Sequence, residues 1–116
     1  MRYLIAVALM LSVACAIGVQ QPAQAGVEVG EASFYSWELA GSPTATGEPF
    51  DPLGPTVAHP WLPLNSYVTV CYASCAVARV NDRGPYVGGR IVDLSLGTAI
   101  AIGLHSDGIG IVSVHY

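Results

Sequence analysis

The stretch Tyr67-Val68-Thr69-Val70-Cys71-Tyr72-Ala73-Ser74-Cys75-Ala76-Val77-Ala78-Arg79-Val80-Asn81 decides how this chain reads. Val68 and Val70 fall on one parity and Thr69 on the other, the period-two pattern of a strand with one buried face. A second strand-like run follows at 76–81, and Cys71 and Cys75 stand at opposite ends of the three-residue connection between the two. Facing residues of a hairpin have Cα separations that suit a disulfide, and an exported protein can oxidise them. The two cysteines are expected to pair.

Outward from this hairpin, short β-branched or aromatic runs lie at 27–35, 56–59, 67–72, 76–81, 90–93 and 109–116, separated by Gly, Pro, Asn or Asp. That count suits a small barrel. One stretch, 96–102, reads as helix, with Ser95 as N-cap and Gly103 as the left-handed C-terminal residue; Gly97 inside it is a weakness. Between them, 36–55 is rich in Gly, Pro and Thr and lacks strand periodicity. A compact domain keeps so long a loop mainly when it is functional, and Glu48 sits in it.

The N-terminus has a different character. Met1-Arg2 supplies a positive charge, residues 3–19 are uncharged and apolar, and Ala23-Gln24-Ala25 offers the small-x-small pattern of a cleavage site. The expected organisation is a signal peptide at 1–25 and one folded domain at 26–116. The apolar run is shorter than the roughly twenty residues that span a bilayer, so no stable membrane insertion is expected after cleavage. Cys15 follows Leu11-Ser12-Val13-Ala14, with Ser12 where a lipid-attachment signal prefers leucine, so anchoring there is disfavoured. The reading is an exported monomer, secreted, periplasmic or wall-associated.

Composition narrows the partners. Residues 26–116 carry three arginines, no lysine and eight acids, a formal charge of −5. Phosphate binding needs clustered basic residues, so a nucleic-acid partner is not supported. Cys71 and Cys75 have no second Cys or His pair at ligand spacing, and neither a metal nor a cofactor is called for.

Ionisable residues concentrate in three segments: Thr44-Ala45-Thr46-Gly47-Glu48-Pro49-Phe50-Asp51, Thr56-Val57-Ala58-His59 and Asn81-Asp82-Arg83-Gly84-Pro85-Tyr86. With the 30–35 run (G-x-A-S-x-Y), Leu62-Pro63 and the 89–95 run (G-R-I-V-D-L-S), they follow the order of the rare-lipoprotein-A-like group of lytic transglycosylases, which the chain resembles over essentially the whole of 26–116. The resemblance implies an all-β fold, a six-stranded double-psi β-barrel with one short helix. It also implies endolytic cleavage of the β-1,4 bond between N-acetylmuramic acid and N-acetylglucosamine, leaving a 1,6-anhydro end. Glycan strands stripped of stem peptides are the implied preference. The family's active-site acid, histidine and aspartate fall on Glu48, His59 and Asp82.

Such a reaction needs a carboxylic acid that protonates the leaving oxygen and then accepts the proton of the sugar's own 6-hydroxyl. Asp82 is the first choice; Glu48 either raises that acid's pKa as a like-charged neighbour or is itself the acid. His59 orients a carboxylate or binds sugar, against the plainer reading of a strand-end histidine bonded to backbone. Asp93 is a second candidate, since expansin-like barrels and some cellulases place an important aspartate in a D-L-S setting; its plainer role is helix capping. Arg83 grips an acetamido or lactyl group or braces the Gly84-Pro85 turn. Trp37 and Tyr86 are the aromatic candidates for stacking on sugar, although such rings more often pack. His105 and His115 read as surface residues. The rivals are a non-catalytic expansin-like module that binds and loosens wall polysaccharide, and a structural or defensive interaction protein.

Overall fold

In the computed structural model, which describes residues 25–116, six strands close into a barrel. They are β1 (Val27–Phe34), β2 (Thr56–Ala58), β3 (Tyr67–Cys71), β4 (Cys75–Asp82), β5 (Arg90–Leu94) and β6 (Gly110–His115), with helix α1 (Leu96–Ile102) between the last two. Residues 1–24, which hold nearly all of the expected signal peptide and Cys15, lie outside the described residues.

Around the barrel the order is β1-β5-β2-β4-β3-β6. The β1/β5 and β2/β4 pairs are parallel and the other four antiparallel. The expected all-β class, six strands and single helix are all present, with strand ends within one residue of the sequence reading. Cys71 and Cys75 face each other at the end of the β3/β4 hairpin, Cα atoms 4.0 Å apart, and form a disulfide.

The core follows from the alternation. Val57, Val68, Val70, Val80, Val92, Leu94, Val112 and Val114 point inward and are buried, and α1 adds Ala99 and Ile102. The helix starts where the Thr98 N–H donates to Ser95 Oγ (3.1 Å) and stops at Gly103 with φ 81°. Gly97 does more than weaken it: a Cβ there would run into the Leu53 carbonyl, so its absence lets the long loop's end pack on the helix.

Two β-bulges set up everything that follows. Between β1 and β5 the register runs Glu31↔Arg90 and then Ala32↔Val92, leaving Ile91 as the extra residue. Gly30 accommodates it, since a Cβ on Gly30 would lie 2.6 Å from Ile91 Cγ2. Between β2 and β4 the register runs Val57↔Val80 and then Ala58↔Asp82, leaving Asn81 extra. Side chains alternate faces, so each one-residue slip changes which side chain lies opposite which. The outcome is one row across four strands: Ser33 pairs with Asp93, Asp93 with Ala58, and Ala58 with Asp82.

Candidate functional site

This row carries two carboxylates on either side of a buried alanine. Two strand spacings separate the Asp82 and Asp93 backbones, about 10 Å. Asp82 ends β4, and its Oδ1 accepts the N–H groups of Ala45 (3.1 Å) and Arg83 (2.9 Å). Asp93 Oδ1 accepts the Ser33 hydroxyl at 2.6 Å. The helix cap is Ser95, so the capping role considered for Asp93 belongs to its neighbour.

Asp82 lines a recess of about 160 Å³ together with Tyr35, Leu39, Thr44 and Phe50. Tyr35 follows β1, two residues after Ser33, and stands edge-on to Phe50 with centroids 5.4 Å apart. Burial pushes its phenol well above the usual range, and Asp93, Asp82 and Tyr86 push it the same way. The hydroxyl therefore keeps its proton and remains a donor beside two carboxylates. Trp37 (58% exposed) and Tyr86 (80% exposed) are outside the core, with rings free to meet a ligand.

Glu48 takes a different place. Arg79 grips it with two guanidinium nitrogens, Nη1 to Oε1 at 2.6 Å and Nη2 to Oε2 at 2.9 Å, and Thr46 Oγ1 donates to Oε1 at 3.0 Å. The Arg79 bonds lead in lowering the Glu48 pKa to about 2, with the bonds from Thr46 and Asn81 acting in the same direction. These bonds favour the ionised form of the Glu48 carboxyl. Glu48 thereby ties residues 44–48 to Arg79, and that same turn presents the Ala45 N–H to Asp82 and bonds Thr46 N–H to the Asn81 carbonyl.

His59 is fully buried. Its Nδ1 accepts the N–H groups of Trp61 (3.2 Å) and Leu62 (3.1 Å), so Nε2 carries the ring hydrogen and donates to Glu28 Oε1 at 2.7 Å. Only the backbone of His59 reaches Asp82, through its N–H to the Asp82 carbonyl at 3.1 Å. Of the three expected residues, Asp82 faces the recess, Glu48 lies in the adjoining 44–48 turn bonded to Arg79, and the imidazole is buried beside Trp61, whose ring lies 4.9 Å away. Arg83 Nη1 donates to the carbonyls of His59 (3.0 Å) and Leu62 (2.6 Å) rather than to the Gly84-Pro85 turn. His105 and His115 are exposed.

Ser33, Tyr35 and Arg79 were not among the candidates. Ser33 and Tyr35 sit two apart in an alternating run that ends G-x-A-S-x-Y, a readable sign of a shared face. Arg79 meets Glu48 across 31 residues, which leaves no local trace.

A family model described as lytic transglycolase matches residues 27–116. The chain belongs to this family of double-psi β-barrels. Among lytic-transglycolase relatives, the endolytic peptidoglycan transglycosylase RlpA of Yersinia pestis is 53% identical over 75 residues, 62% of this chain and 21% of that protein. The protein of the same name from Pasteurella multocida is 47% identical over 88 residues, 73% of this chain and 30% of that one. The chain therefore spans between a fifth and a third of these relatives' length. A solved structure, Streptomyces papain inhibitor (SPI), matches 78% of this chain and 94% of its own with a TM-score of 0.63 at 23% identity, a likeness of fold.

Proposed function

We propose that the barrel is an endolytic peptidoglycan transglycosylase that works outside the cytoplasm, reached by way of a signal peptide at 1–25, and that it acts as a monomer on glycan strands lacking stem peptides. The observation that carries this is the Asp82 carboxyl, anchored through Oδ1 by two backbone N–H groups and opening on a recess walled by Tyr35 and Phe50. In the proposed reaction the Asp82 carboxyl gives its proton to the glycosidic oxygen as the bond from that oxygen to C1 of muramic acid breaks. The 6-hydroxyl of the same sugar then bonds to C1 while Asp82 takes its proton. No water is consumed, a 1,6-anhydro end forms, and the acid is restored.

In this scheme Asp93, held by Ser33, and the protonated Tyr35 bind or stabilise the ring, while Trp37 and Tyr86 flank the strand. Glu48, through Arg79, and His59, through Glu28 and the 61–62 amides, position the walls. The decisive experiment is digestion of peptide-free glycan strands followed by mass spectrometry. Anhydro-muramic ends from the wild type, and a loss of about 100- to 10,000-fold in Asp82→Asn with the same unfolding midpoint, are expected. Full activity in Asp82→Asn overturns the assignment, and sacculus binding without soluble product favours the expansin-like reading.

A further inference from the structure

The turn at residues 44–48 has a recess on each side. Thr44 faces the one that holds Asp82, whereas Thr46, hydrogen-bonded to Thr44 hydroxyl to hydroxyl at 3.0 Å, faces a larger one of about 460 Å³ lined also by Glu48, Asn65, Tyr67 and Arg79. This second recess sits where β4 meets β3, the next strand in the barrel after the one that ends in Asp82. Its row is Thr56, Arg79 and Tyr67, three residues before Asp82 along β4, so the two recesses lie side by side along that strand with the 44–48 turn between them.

Its chemistry is that of a surface prepared for a sugar. The Tyr67 side chain pairs across the ladder with Arg79 yet is left 67% exposed, so one ring face is uncovered. Opposite stands a polar wall already fixed by its own bonds: Arg79 Nη1 donates to Glu48 Oε1 and to Asn65 Oδ1 (3.0 Å), and Thr46 Oγ1 to Glu48 Oε1. A hexose presents an apolar C–H face and a rim of hydroxyl and acetamido groups. An open aromatic ring beside preorganised donors and acceptors complements both, with little ordering left to do on binding.

We infer that the recess between Tyr67 and the Arg79–Glu48 pair is a second saccharide subsite, which takes an N-acetylated hexose of the same glycan strand remote from the bond cut at Asp82. This rests on the function proposed above. A strand that crosses the 44–48 turn to fill both recesses is held at an interior position, which suits endolytic cutting.

The test is titration of the full chain carrying Asp82→Asn, which keeps the ligand intact, with a peptide-free glycan octasaccharide, followed by backbone amide shifts and calorimetry. Shifts at Thr46, Asn65 and Tyr67 are expected alongside those near Asp82. Adding Tyr67→Ala should weaken binding about two- to tenfold, the range for losing one aromatic contact, and Tyr67→Phe should restore it. Tyr67 is exposed, so unchanged melting is expected for both variants. Shifts confined to the Asp82 recess, with Tyr67→Ala binding as tightly as the parent, overturn the subsite while leaving the proposed function standing. Absence of shifts at either recess overturns both.

Discussion

Replacing His59 by alanine separates a wall-forming imidazole from a chemical one. The side chain is fully buried and makes three hydrogen bonds, two of them from the main-chain N–H groups of Trp61 and Leu62. Removing it orphans both donors, each at a cost of about 1–3 kcal/mol, and strips Glu28 of its partner while opening a cavity beneath Trp61. A total of about 3–5 kcal/mol is a large part of the roughly 5–15 kcal/mol that a domain of this size possesses. For a domain of 60–100 residues each kcal/mol lowers Tm by about 4–8 °C, so His59→Ala should melt about 12–40 °C below the wild type. Circular dichroism melts and guanidinium titration read this directly. Glycan cleavage assayed well below the new Tm should be partly retained. A variant that melts like the wild type but cleaves nothing would refute the buried, positioning role of this imidazole.

Arg83→Met removes the guanidinium bonds to the His59 and Leu62 carbonyls and should cost about 2–4 kcal/mol in denaturant unfolding, with KM unchanged while the protein is folded; a raised KM at unchanged stability would instead mark Arg83 as a substrate contact. Glu48, held at about pKa 2 against the ordinary 4.5, contributes stability that is complete above pH 4.5 and fades as pH falls from there towards 2. Its side chain is about a third exposed, so solvent screening keeps this below about 1 kcal/mol. Melts from pH 2 to 7 should show Glu48→Gln below the wild type near neutrality and converging with it near pH 2, and a constant gap across that range would contradict the ion pair.

What could be read from the sequence was what is periodic or local. The Val68/Val70 alternation, the turn residues, Ser95 and Gly103 all act within a few positions of themselves, and the strands and helix lie where those signals put them. The pairing of Cys71 and Cys75 was legible for the same reason. The site was legible only in part. Asp82 stands out at its turn, but its alignment with Asp93 depends on the extra residues Ile91 and Asn81, and a bulge is defined by the partner strand. His59 was visible as an ionisable residue at a strand end. Which way its ring points is decided by the 61–62 backbone folding under it and by Glu28, 31 residues earlier.

The spacing of the two aspartates has an evolutionary corollary. Because Asp82 and Asp93 are separated by the width of a single interposed strand, main-chain hydrogen bonding acts as the ruler between them, and no loop length enters the measurement. The 36–55 segment and the turn after Asp82 can thereby lengthen, shorten or change their aromatics while the gauge of the acidic pair stays fixed.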